Sequence, residues 1–565
     1  MLTTLFIYFP FVSSFFVEGL LFLCLPILLF LPLFIKQEDF LFNTITLNKK
    51  IFFLILRVSQ FIVFLCILID IFQILFIIEN TQSLLVLHTG NFFFRHDLVS
   101  TTLNLILTAL TLQYLYLTAF VFSRTTRYIT YCFEIPFLIV CTLFCLRLFI
   151  AANDLMLIVI LLEIAAFCSI IYIGIQSVSS TDYCLSIEAT IKYFIINAFA
   201  VSILLAAVCG YFYLTTSTNI VEIVFFFYKH PFLSVFFTEQ LIFLQLLFFF
   251  AYLIKVGASP FHQWVPDVYE GAETLVTAFL VLLISPALMF KLIMFFKFIT
   301  AIPVSMVALQ QLFFTTGCLS IVFGTFGAFY QTRIKRFIAY SGLTHLGFML
   351  LGCCFNTTLG YFAFFFYLII YILTNVCFFT FLLICQMQNN VAARLIYFNQ
   401  LKIYLQTSFF LFLCLIICLF SFAGIPPFAG FFAKFFILST VLQQTQFLLV
   451  IFLIITILIG TFMYLRFLKI SLFESTPFFE NKSWSTTIKS SFIIFPRTLV
   501  AVFADYQLWV KSQNVVYNIT TLDTWQFVIF SILVWLLGFL SFFFFFLAPY
   551  SLGIFEIVVV LLTQY

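Results

Sequence analysis

The sequence predicts an all-α, polytopic membrane protein of about fourteen transmembrane helices. Three observations carry that prediction. The 565 residues are 65% hydrophobic and only 8% charged, too few charges to cover the surface of a soluble protein. Apolar runs of 20 or more residues recur from end to end, each long enough to cross ~30 Å of hydrocarbon. The alternating apolar/polar register of a membrane barrel is absent, and in lipid a continuous apolar run must satisfy its backbone within itself, as a helix does.

The first three spans fall near residues 15–36, 51–79 and 98–123. The fourth and fifth, near 131–152 and 154–177, meet at Asn153-Asp154. The sixth to eighth lie near 186–212, 236–258 and 273–298. The ninth to eleventh lie near 303–330, 335–355 and 358–386. The twelfth, near 407–443, is long and interrupted, and the thirteenth and fourteenth lie near 446–470 and 524–548. The seventh span breaks at Gly257-Ala-Ser-Pro260-Phe, and the twelfth at Gly424-Ile-Pro426-Pro427-Phe-Ala-Gly430. Paired broken helices in two parts of one chain point to two inverted five-helix repeats. The expected organisation is a three-helix segment (1–130), a first repeat (131–300), a second repeat (301–470), and a long connection with a C-terminal helix (471–565).

Three polar stretches, 80–97, 387–405 and 471–523, are expected to shape contacts with partners, and Thr498–Lys511 mixes apolar and polar residues as a surface-lying segment does. The net charge of +4 is spread over loops, with no basic stripe for nucleic acid. The fifteen cysteines sit mostly inside apolar runs and include no CxxC pair, so they read as small buried hydrophobes rather than metal or cluster ligands. Phenylalanine is extreme, 90 of 565, which packing does not require and TTT-rich codon usage would explain. The N-terminus lacks the Arg- and Ser-rich character of a transit peptide. Together these point to a protein made inside an organelle.

Ionisable residues inside spans are costly, roughly 2.5–3.5 kcal/mol each on insertion scales, and therefore mark function. Glu163 sits mid-way along the fifth span, Lys255 just before the first break, Lys434 just after the second, and His345 within the tenth span. Lys192 follows Glu188 by four residues on one helix face, a spacing that permits pairing. The chemistry that fits is proton relay. A buried lysine has its charged form disfavoured, a nearby carboxylate opposes that, and a histidine links such groups. Lys291, Lys297 and Lys335 are expected to reach toward the interface, as long cationic side chains near span ends do. Arg57, Asp70 and Arg147 are expected to serve packing or partner contacts.

Five motifs carry a family resemblance. Ala152-Asn-Asp-Leu-Met-Leu-Ile-Val-Ile-Leu-Leu-Glu163, Ser186-Ile-Glu-Ala-Thr-Ile-Lys192-Tyr-Phe, and Lys255 through Pro-Phe-His-Gln-Trp-Val-Pro-Asp-Val-Tyr-Glu-Gly271 occur in order. Arg333-Ile-Lys-Arg-Phe-Ile-Ala-Tyr-Ser-Gly-Leu-Thr-His345 and Phe422-Ala-Gly-Ile-Pro-Pro-Phe-Ala-Gly-Phe-Phe-Ala-Lys434 follow. This order over roughly 134–445 resembles the antiporter-like, proton-pumping membrane-arm subunits of respiratory complex I, NADH:ubiquinone oxidoreductase. Within them it is most similar to the subunit 2 branch, on the Glu-Ala-x-x-Lys-Tyr and Gly-Ile-Pro-Pro motifs. The resemblance implies a relay of Glu163, Lys192, Lys255, His345 and Lys434, in a multi-pass protein of the mitochondrial inner membrane. It implies other membrane-arm and accessory subunits, and lipids, as partners. It also implies no cofactor in this chain, with NADH, FMN, iron–sulfur clusters and ubiquinone held by other subunits. One departure stands out: where the family carries a lysine on its eighth helix, this chain has Ser285, then Pro286, and Lys291 six residues on points elsewhere on an ideal helix. Water held at Ser285 would have to bridge the gap, or the path is incomplete. The alternatives are a cation/proton antiporter of the same superfamily and a scaffold whose buried charges only specify packing.

Overall fold

The computed structural model describes residues 17–30, 44–79, 87–89, 94–96, 98–124, 134–175, 183–229, 238–300, 306–388, 396–402, 409–426 and 428–473. Within them, eleven helices are long and apolar enough to cross a membrane, and they fall at the second to eleventh and the thirteenth predicted spans. The first span is represented by a shorter apolar helix, α1 (Val17–Phe30). The fourteenth lies outside the described residues, as do Thr498–Lys511 and most of the 471–523 connection.

The N-terminal segment continues with α2 (Thr44–Glu79) and α3 (Leu98–Arg124). Between them the polar stretch near 80–97 contains a small antiparallel hairpin, β1 (Leu87–Thr89) and β2 (Phe94–His96). Phe94 pairs with Ala152, so this stretch docks on the chain itself. Next come α4 (Glu134–Ala151), α5 (Leu155–Ile175), α6 (Tyr183–Thr215) and α7 (Ile220–Lys229). The short α7 was not foreseen, because ten residues are too few to span lipid and its apolar run merges with the flanking sequence. The seventh span is α8 (Thr238–Val256) and, beyond the break, α9 (Trp264–Gly271). The eighth is α10 (Thr274–Phe279), a π-turn (Leu280–Ile284) and α11 (Ser285–Thr300). Then follow α12 (Met306–Tyr330), α13 (Ile334–Cys354), α14 (Thr358–Gln388), a 3-10 turn (Phe398–Leu401), the halves α15 (Phe409–Ala423) and α16 (Ala429–Gln443), and α17 (Phe447–Phe473).

The backbone repeats itself. At the α4–α5 junction, Leu155 N donates to Thr218 O and Ile220 N to Asn153 O. At the α12–α13 junction, Ile334 N donates to Ile396 O and Phe398 N to Thr332 O. Both bridges join a helix–helix junction to the chain leaving the second helix after it. Five crossings separate the start of α4 from the start of α12; the number is odd, so the second set begins on the opposite membrane face.

The most enclosed helices lie in the centre: the membrane-spanning window of α13 is 89% buried, and those of α14 and of Thr274–Phe296 are each 83% buried. By contrast the Cys184–Thr215 window of α6 is 33% buried. Close packing in the centre depends on small residues. A Cβ at Gly324 would meet the Thr344 backbone and one at Gly347 would strike Ser320, so α12 and α13 approach backbone to backbone. Outside, α5 presents Met156, Ile160, Ile164, Phe167 and Ile171 at helical spacing, an apolar face suited to lipid.

Candidate functional site

The first break is built by Gly257. Its φ of 78° lies in the left-handed region, and a Cβ there would collide with Val265. Gly257 N donates to Leu253 O (3.0 Å) and Ile254 O (3.1 Å), and Ala258 N to Leu253 O (3.0 Å), which closes α8. Pro260, in a cis peptide bond with Ser259, has no N–H to continue the helix. Trp264, opening α9, donates from Nε1 to Ile254 O at 3.2 Å and folds the second half back against the first. Lys255 therefore sits buried in the last turn of α8, where unsatisfied carbonyls favour a cation. Glu163 is half-buried on α5. No direct ion pair joins the two among the described residues.

The second break reproduces the first. Gly424 has a φ of 76°; its N donates to Phe420 O (3.0 Å) and Ser421 O (3.1 Å), and Ile425 N donates to Phe420 O (3.2 Å). Pro426 follows, and Pro427 lies outside the described residues. Lys434, buried on α16, reaches back to donate to Phe422 O (2.9 Å) and Ala423 O (2.7 Å), the last carbonyls of α15. Its side chain folds over Gly424, where a Cβ would stand 2.8 Å from Lys434 Cδ and 3.1 Å from Nζ. The two lysines are not equivalent by position: one precedes its break, the other follows.

His345 lies between them, buried on α13. Its Nδ1 bonds the Tyr367 hydroxyl at 2.7 Å and its Nε2 the Tyr464 hydroxyl at 3.0 Å. A neutral imidazole donates from one nitrogen and accepts at the other, so the trio is a continuous hydrogen-bonded link. Tyr464 stacks on Phe422, whose carbonyl Lys434 holds.

At Ser285 the eighth span is remodelled. Ser285 N donates to Leu280 O, five residues back, which makes the π-turn. The Val281 carbonyl, which an unbroken helix would bond to that N–H, accepts the Ser285 hydroxyl instead at 2.8 Å. Pro286 then has no N–H to offer, and a π-turn of this kind often marks a functional position.

Three lysines lie elsewhere than expected of interface or relay groups. Lys291 is buried and donates to Ile150 O (3.0 Å) and to Ala152 O, at the end of α4. Those terminal carbonyls lack intrahelical donors and attract a cation, so Lys291 neither reaches the interface nor replaces a lysine at 285. Lys335 is likewise buried and donates to Ala272 O, capping α9. The side chain of Lys297 is outside the described residues. Lys192 does pair with Glu188 (2.6 Å), but also with Asp267 of α9 (2.7 Å), and its side chain is 38% exposed. Arg336 (3.3 Å to Asp267), Glu270 and Arg333 extend this network. Among the described residues no ion pair joins Lys192 to Glu163. Sequence reasoning missed Tyr367 and Tyr464. The available signal was a buried tyrosine where this phenylalanine-rich chain would otherwise place phenylalanine.

Fold and site together define a class: polytopic membrane proteins built from two broken-helix repeats, with buried lysines at the breaks and a histidine between them. The chain belongs to the NADH:quinone oxidoreductase/Mrp antiporter membrane family, whose model matches residues 152–460. It is similar to NADH-ubiquinone oxidoreductase chain 2 of Marchantia polymorpha, 33% identical over 342 residues, covering 60% of this chain and 66% of that protein. It is similar to NADH-quinone oxidoreductase subunit N of Pelagibacter ubique, 31% identical over 373 residues, covering 65% of this chain and 75% of that one. The chain thus spans about two thirds to three quarters of the relatives it matches. Two solved structures share the fold. A chain of respiratory complex I from Thermus thermophilus with bound aureothin has TM-score 0.61 at 18% identity, covering 94% of this chain and 97% of that one. A chain of the Mrp complex from Dietzia sp. DQ12-45-1b has TM-score 0.68 at 16% identity, covering 97% of each.

Proposed function

We propose that this chain is a membrane-arm subunit of a proton-translocating NADH:quinone oxidoreductase and moves protons along Glu163, Lys255, His345 and Lys434. The observation that carries the reading is His345, bonded at both nitrogens by buried tyrosines between two broken helices that each hold a buried lysine. Such a histidine is enclosed, polar and connected, which packing alone does not call for. The names of the sequence relatives support the oxidoreductase over the antiporter; the solved structures, at 16–18% identity, bear on the fold only. Redox chemistry, with NADH, FMN, iron–sulfur clusters and ubiquinone, belongs on this reading to other subunits, whose charge changes shift the protonation of Lys255. The phenylalanine excess supports synthesis inside an organelle, and hence the mitochondrial inner membrane. Lys192 serves as an outer group that exchanges protons with the Glu188–Asp267 network.

Reconstitution tests this reading against the antiporter. The purified chain alone in vesicles is expected to show no cation-coupled proton flux, whereas vesicles carrying the whole complex acidify on NADH oxidation. Sodium- or potassium-coupled proton exchange by the isolated chain would favour the antiporter.

A further inference from the structure

A cavity lies against the site where the family's lysine is absent. It is lined by Val256, Gly257, His262, Ser285, Tyr340 and Tyr371, among others, and has about 30 Å³ of room for water. At roughly 10–15 Å³ per water, that accommodates two or three. Polar groups converge on it. The Ser285 hydroxyl already spends its proton on Val281 O and so presents lone pairs. The Nδ1 of His262 is buried, and the ring, which also interacts with the Pro260 backbone, is held by stacking on Phe323. The Tyr371 hydroxyl lies beside Gly342, where a Cβ would stand 3.1 Å from it.

Tyr371 also touches the next group along. Its ring lies 5.5 Å from the His345 imidazole, centroid to centroid. Tyr367, bonded to His345, is four residues earlier on the same face of α14. The cavity therefore ends one helical turn from the His345 link. Lys255 is not part of its lining; Val256 and Gly257, which follow Lys255, are.

Resting on the proposed proton path, we propose that this cavity is a water-filled proton bridge that stands in for the missing lysine, with Tyr371 as its link to His345. Each hop breaks an O–H bond on the donor and forms one on the acceptor, and the last forms an N–H bond on His345. An excess proton entering the cavity as hydronium passes to the Tyr371 oxygen and leaves neutral water behind, Tyr371's own proton leaves toward the Tyr367 oxygen, and the Tyr367 hydroxyl passes its proton to His345 Nδ1. The tyrosine ends neutral and unchanged, and the proton has moved from the His262–Ser285 side to His345. A lysine would carry the charge on one side chain; here water and a hydroxyl carry it between them.

The test is Tyr371→Phe in the assembled complex, which keeps the ring and removes the hydroxyl. Protons moved per electron pair should fall by the same fraction as in Lys255→Met, and Ser285→Lys in the Tyr371→Phe background should restore them. An unchanged ratio in Tyr371→Phe overturns the bridge. So does a loss that Ser285→Lys fails to repair, because that marks Tyr371 as a packing residue. Should the variant also reduce assembly, a density map of the wild-type complex decides: ordered water between Ser285 and Tyr371 supports the bridge, and a dry cavity overturns it. Lys255→Met separates the two levels, since full pumping in that variant removes the whole path rather than this bridge alone.

Discussion

Arg147→Met will prevent the N-terminal helices from holding onto the rest of the chain. Arg147 is fully enclosed on α4, with Nη1 2.7 Å from Asp70 Oδ2 and Nη2 2.8 Å from Asp70 Oδ1 on α2. The same Nη2 reaches Glu18 Oε1 on α1 at 3.3 Å, and Thr108 of α3 lies 3.2 Å from the Asp70 carboxylate. One guanidinium thus ties together all four helices. Removing it leaves two carboxylates buried without a counter-charge, a cost of about 3–5 kcal/mol. Net stabilities are only ~5–15 kcal/mol, so the assembled protein should largely disappear from a native gel. Replacing all three groups, as Arg147→Met/Asp70→Leu/Glu18→Leu, should restore it, because an apolar trio leaves no orphaned charge. Wild-type accumulation of Arg147→Met alone would show that the knot is dispensable.

Gly430→Ala is the second large effect. Gly430 opens α16 where it crosses α15, and a Cβ there would overlap the Ser421 carbonyl. The obstacle is backbone, so no rotamer change relieves it; α16 must move away from α15. Overpacking of this kind costs about 1–3 kcal/mol, and more where the backbone must move. The displacement would carry Lys434 off the Phe422 and Ala423 carbonyls and remove a relay group as well as stability. Gly460→Ala on α17 is the control. A Cβ there meets nothing within 4 Å, and alanine should be favourable by ~0.5–1 kcal/mol in a helix interior. Pumping should therefore fail in Gly430→Ala and persist in Gly460→Ala. Equal activity of the two would mean that the α15–α16 crossing does not govern Lys434.

How much of this was legible in the sequence follows from the range of each interaction. Gly257, Pro260, Gly424 and Pro426 act on their own backbone, so the breaks could be placed from local chemistry, and the lysines beside them stood out because charge is rare in apolar runs. The partners could not be placed. Tyr367 and Tyr464 are 22 and 119 residues from His345, and Asp70 and Glu18 are 77 and 129 from Arg147. No periodicity reports pairings of that range. For Lys192 the four-residue spacing reported the pairing with Glu188, but only packing brings Asp267 of α9 beside it. The π-turn was invisible because it depends on whether the Ser285 N–H or its hydroxyl takes the Val281 carbonyl. Lys291 was correctly expected to point away from the Ser285 position, but its target, the end of α4, is 139–141 residues distant.

Lys255→Met in the assembled complex decides whether protons pass through Lys255. Methionine keeps much of the length and apolar character of the stem and removes the ammonium. The measurement is protons moved per electron pair, with NADH oxidation and complex content recorded on the same membranes. Normal content and a lowered ratio are expected. Normal content with the wild-type ratio would contradict it and leave Lys255 as the cap of a broken helix.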